Sequence, residues 1–182
     1  WQQVEAECRK ITDEAYIYVA LADNQDNPVL SSGSNSGYIT QTDVDLIAQE
    51  FSGIYSAVTN FFGEDPAYGP DGENRITILL VDIDNSFASG HNGGVFTAGY
   101  FWRYDLYQSY VAEQLGYYSN ERKLLYIDTY PLIERSDPPD VNHDEELGNT
   151  FKVIAHELQH LIHYYHDPIE QAWINEGCSG LA

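Results

Sequence analysis

Residues 74–84 read NRITILLVDID, a nearly unbroken apolar run. A half-exposed strand would alternate apolar with polar residues, and this one does not. The run therefore predicts a strand buried on both faces, in a sheet with helical cover. Three further segments read as strands: 14–22 (EAYIYVALA), 93–105 (GGVFTAGYFWRYD, opened by glycines) and 123–130 (KLLYIDTY). Between the first two strands, Val44, Ile47, Phe51, Ile54, Val58 and Phe61 recur three or four apart and predict a helix. Thr40 or Thr42 can cap its start and Gly63 can end it. A second stripe, Leu147, Phe151, Ile154, Leu158, Leu161 and Tyr165, predicts a helix over about 144–165, stopped before Pro168. A short last helix follows over about 168–177. The order of elements is that of an α+β domain, a mixed sheet covered by helices.

The 182 residues suit one domain. Tyrosine is frequent, and such rings can pack inside while the hydroxyl stays wet. With 29 acids against 8 Lys and Arg, the net charge is -21. A chain so acidic is repelled by nucleic acid and by anionic membranes, so neither is an expected partner. No apolar run has the length to cross a bilayer. Acid-rich loops at 22–27 (ADNQDN), 69–74 (GPDGEN) and 82–85 (DIDN) offer oxygen donors of the kind calcium takes, though none matches an EF-hand loop. Cys8 and Cys178 permit a single disulfide, which would close nearly the whole chain into one loop. The acidic, lysine-poor composition is read as that of a secreted, extracellular protein. The first residue is Trp1, so the N-terminus is expected to be processed.

Four of the six histidines fall within 153–180 (VIAHELQHLIHYYHDPIEQAWINEGCSG). His156 and His160, four apart on a predicted helix, share one face and can occupy two corners of a zinc ion. Glu157 projects beside them. There it can take a proton from a zinc-bound water and deliver it to a leaving amine. A third ligand is needed. His163 extends the same helical line, but its distance from His156 is ~10 Å by helical rise, too far for both to share one ion well. His166 would need a turn that HLIHYYH, without glycine, does not provide. Glu176 stands on the next helix, beyond the turn at Asp167 and Pro168, and can close the site from another direction.

His156-Glu157-Leu158-Gln159-His160 followed by Trp173-Ile174-Asn175-Glu176-Gly177 resembles the gluzincin group of zinc metallopeptidases, and most of all the hyicolysin family of secreted bacterial neutral proteases. The motifs cover only about 151–182. The resemblance implies that His156, His160 and Glu176 bind zinc and that Glu157 is the general base. It implies a zincin-like upper subdomain over 1–182: a twisted mixed sheet, a backing helix, an active-site helix and a glutamate helix. An extended peptide or protein substrate would pair with an edge strand, for which Val95, Phe96, Thr97, Ala98 and Gly99 are the candidates. Two features depart from the pattern. No acid follows Glu176 by one turn, so the second nitrogen of a histidine ligand must meet another group, such as Asp128, Asp137 or Ser179. The lower subdomain that would supply an oxyanion donor is read as absent here or as part of further chain, leaving Tyr100, Tyr130 or His91 for that role.

The expected function is a zinc-dependent endopeptidase. An aminopeptidase of the same zinc type and a non-catalytic, zinc-stapled binding domain are the alternatives. The staple would need a fourth protein ligand, from His163 or Cys178.

Overall fold

The apolar run at 76–81 is the central strand of a five-stranded sheet. In this computed structural model, residues 3–22, 29, 39–83, 97–129, 132–133 and 143–182 are described. The strands are β1 (Ala6–Ile11), β2 (Ala15–Ala20), β3 (Ile76–Val81), β4 (Gly99–Phe101) and β5 (Leu124–Asp128), in the order β1-β2-β3-β5-β4. β2, β3 and β5 run parallel, and the outer strands β1 and β4 are antiparallel to their neighbours. The helices are α1 (Gln41–Phe62), α2 (Ser109–Gln114), α3 (His143–His166) and α4 (Ala172–Ser179). The fold is thus mixed α+β, as the pattern predicts.

The α1 helix starts where its sequence says it should. The Thr40 side chain accepts from the Asp43 N–H, while the Asp43 carboxylate accepts from the Thr40 N–H, a reciprocal cap. The helix ends at Gly63, whose φ of +100° suits a residue without Cβ. Val44, Ile47, Phe51 and Val58 bury its inner face. α1 packs on α3, and the pair covers one face of the sheet: α1 lies over β1 and β2, α3 over β4 and β5. Ile17, Ile78 and Leu125 are in register across β2, β3 and β5, as are Val19, Leu80 and Ile127, and all six are buried in the core.

β3 is buried on both faces, as its apolar run predicts, with Leu79 alone half-buried. On the face away from α1 and α3, Leu79 is in register with Tyr18 and Tyr126. On that face Tyr100 stacks on Tyr126 at 4.3 Å, and the Tyr126 hydroxyl donates to buried Asp105 instead of reaching water. β1 is a strand that composition hides, because AECRKI is largely polar and rides an exposed edge. Cys8 and Cys178 are both free thiols, so the expected disulfide is not formed. Cys8 sits on β1, at the opposite edge of the sheet from β4, whereas Cys178 belongs to α4, which packs on α3.

Among the described residues of the 93–105 stretch the strand is Gly99–Phe101, followed by a 3-10 turn at Arg103–Leu106. Ala98 still accepts a backbone hydrogen bond from Asp128, so the pairing reaches one residue further. Among the described residues β4 is an edge of the sheet. Val95 and Phe96 lie outside the described residues, as do His91, Tyr130, Asp137 and most of the loops at 22–27 and 82–85. The 69–74 loop is described, and its oxygens serve the chain's own donors. Asp71 accepts from the Glu73 N–H, and the Asn74 carbonyl accepts from Lys123. No described helix is long and apolar enough to cross a membrane.

Candidate metal centre

The α3 helix carries a wide apolar stripe, with Ile154, Leu158, Leu161 and Ile162 fully buried. His156 and His160 flank that stripe on the side of β4 and α4. Their Nε2 atoms stand 3.0 Å apart. From α4, the Glu176 carboxylate lies 3.6 Å from the His156 Nε2 and 3.7 Å from the His160 Nε2. Among the described residues these three form the one group of three or more His, Cys, Asp or Glu whose donor atoms gather closely enough to share an ion. A tetrahedral zinc with bonds of ~2.0–2.1 Å separates its ligand atoms by roughly 3.4 Å. The observed spacings bracket that value, so two imidazoles and a carboxylate fit such an ion in both chemistry and spacing.

His160 is oriented by a neighbour of the glutamate. Its Nδ1 lies 3.0 Å from the Asn175 Oδ1, which leaves Nε2 for the cluster. Burial holds its pKa below the usual histidine value, favouring the neutral form that binds metal. Asn175 thus does what Asp128, Asp137 or Ser179 was expected to do. Asp128 instead accepts from the Ile83 N–H, and the Ser179 hydroxyl donates to the Glu176 carbonyl. Asp137 is not among the described residues.

Glu157 is 7% exposed, beneath the edge strand. Burial raises its pKa to about 7, with a hydrogen bond from the Phe101 backbone N–H opposing the shift and the Glu176 charge adding to it. The edge strand approaches α3 this closely because residue 99 is glycine. A Cβ there would stand 2.7 Å from the Val153 Cγ1 and 2.9 Å from the Tyr126 carbonyl. His163 and His166, further along the same helix, are engaged elsewhere. The His163 Nδ1 meets the Gln159 side chain, and the His166 Nε2 meets the Glu64 carbonyl after α1. Tyr100 borders the cleft, but its ring stacks on Tyr126 on the face of the sheet away from α3, which turns its hydroxyl from the cluster.

A cleft of about 610 Å³ runs between β4, α3 and α4, with His156, Glu157, His160 and Glu176 in its wall. Trp102, Arg103, Tyr104, Tyr117 and Tyr164 line it as well. None of these five was singled out from sequence. Only Tyr164 left a signal there: it falls four residues after His160, on the same helical face. Comparison of the sequence with protein-family models and with curated proteins finds no match.

Proposed function

We propose that this chain is a zinc-dependent endopeptidase with a zincin-like arrangement of sheet, active-site helix and glutamate helix. One observation carries the reading. Three donors from two helices converge beside a buried glutamate, in a cleft bordered by an edge strand. His156, His160 and Glu176 would hold the ion. Zinc in that position supplies a Lewis acid that polarises a carbonyl and makes water a better nucleophile near neutral pH. Glu157 is set to take a proton from the attacking water and return it to the leaving amine. The side of β4 away from β5 pairs with no strand among the described residues, and from Thr97 to Tyr100 it would offer backbone groups to an extended peptide, which suits a broad range of sequences.

The zinc-staple alternative is weakened by the same geometry. Neither His163 nor Cys178 joins the cluster, so among the described residues the group offers three protein donors and not four. The acidic, lysine-poor surface supports an extracellular setting.

The test combines metal content with hydrolysis of an unfolded protein such as reduced casein. One zinc per chain is expected, with cleavage abolished by a chelator and restored by zinc. Glu157→Gln is expected to keep the zinc and lose at least ~10³-fold in rate. Full zinc occupancy without cleavage of any unfolded protein would sink the peptidase reading.

A further inference from the structure

We infer that Arg103 is a specificity-determining residue of the cleft, receiving a peptide carboxylate close to the bond that is cut. The inference rests on the peptidase reading and adds a substrate class to it.

Arg103 is exposed and lines the same cleft as His156, Glu157, His160 and Glu176. Among the described residues it is the one cation there. The other formally charged side chains in the wall, Asp167 and Glu170 besides Glu157 and Glu176, are acidic. The chain has 29 acids for 8 Lys and Arg. Arg9, Lys10, Arg75 and Lys123 each have a carboxylate within 4.0 Å. Among the described residues Arg103, Arg122 and Lys152 have none, and of these three only Arg103 lines the cleft. Its hydrogen bond goes from Nη2 to the Tyr104 hydroxyl, at 2.9 Å.

The guanidinium is nevertheless held in place. Its central carbon lies 4.9 Å from the centre of the Tyr104 ring and 5.9 Å from that of Tyr164. Both rings are fixed in turn. Tyr104 stacks on Tyr117 at 3.9 Å, and the hydroxyls of Tyr164 and Tyr107 share a hydrogen bond of 2.8 Å. A planar fork pinned between rings keeps most of its five N–H donors for an incoming carboxylate and loses little freedom on binding one.

Its place in the fold sets where that carboxylate falls along a substrate. Tyr164 follows His160 by one turn of α3, a rise of ~6 Å. Arg103 follows, by two residues, the Phe101 whose N–H holds Glu157. An extended peptide advances ~3.3 Å per residue. The carboxylate therefore belongs roughly one to three residues from the scissile bond. It can be an Asp or Glu side chain or a free C-terminus, since both present the same planar anion.

The experiment has a binding arm and a cleavage arm. In the first, zinc-loaded Glu157→Gln protein is titrated calorimetrically with matched peptides: one Glu against Gln, and a free C-terminus against its amide. In the second, the unsubstituted protein digests a peptide library and the cut sites are mapped. The charged member of one pair is expected to bind about tenfold more tightly. The same preference is expected at one position within three residues of the cuts. The responding pair tells side chain from C-terminus. Arg103→Gln should abolish the preference, and Arg103→Lys, which keeps the charge without the fork, should retain a weakened one. Equal binding of charged and uncharged peptides, or a preference unchanged in both variants, overturns the assignment. Absence of all cleavage with the Arg103-dependent binding intact overturns the peptidase reading and leaves the carboxylate site standing.

Discussion

At Glu157, burial and chemistry pull on one carboxyl. Its pKa is raised from 4.5 to about 7, mainly by burial. A carboxyl that is more basic when folded favours the folded state while protonated. That contribution is whole below pH ~4.5 and is lost as pH rises through ~7. Metal-free protein should therefore lose stability relative to its Glu157→Gln variant between about pH 4 and pH 8, on the order of 2–3 kcal/mol. Chemical denaturation of both proteins across that range measures it, and parallel curves would count against the buried, raised carboxyl. Asn175 would act on a bound metal at one remove. Its Oδ1 holds the His160 Nδ1, so Asn175→Ala should weaken zinc binding about 10- to 100-fold while leaving the three ligands in place. Competition with a calibrated chelator reads this directly, and unchanged affinity would remove Asn175 from the site. The sequence puts His156, Glu157 and His160 together because four residues make one helical turn. It has no comparable rule for Asn175 or Arg103, whose roles depend on how separate elements meet.

Among the elements, α3 and β4 depend on each other most. Gly99 lets the edge strand lie against Val153, and the Phe101 N–H then reaches Glu157. Gly99→Val should force the strand and helix apart, costing about 1–3 kcal/mol and disturbing the cleft wall more than the distant β1–β2 hairpin. Hydrogen exchange can separate the two: faster exchange is expected in β4 and the middle of α3, with β2 and β3 unchanged. Uniform protection across the variant would show that the contact does not matter. The elements that were legible in sequence are those whose pattern their own burial creates. β3 and β5 are apolar at all but one position each, and α1 and α3 repeat every three or four residues beneath the sheet. β1 was not legible, because an exposed antiparallel edge has little apolar surface to hide. β4 ends earlier than its apolar stretch suggested, since the chain turns into a 3-10 segment at Arg103. That turn brings Arg103 and Tyr104 to the cleft, and no local pattern announces it.

For the molecule as a whole, one buried cation ties together stretches far apart in sequence. Lys123, at the mouth of β5, is 1% exposed. Its ammonium donates to the Asp65 carboxylate and to the carbonyls of Pro66 and Asn74, so it fastens the segment after α1 to the segment before β3. Asp65 also accepts from the Tyr55 hydroxyl, and burial first, with that bond second, holds the tyrosine protonated far above its ordinary range. Three ammonium protons meet three acceptors, which is the condition under which a buried lysine can stay charged. Sequence alone marks Lys123 only as the polar start of a strand, because its partners are chosen by the crossing of the chain. Lys123→Met keeps much of the apolar stem and removes the charge, leaving Asp65 buried without its cation. The expected loss is about 3–5 kcal/mol, measured by urea denaturation. Adding Asp65→Asn should recover part of it, because the two effects arise from one contact and cannot be additive. Strictly additive losses would show that the pair does not act as a unit, and that the sheet and α1 are joined by apolar packing alone.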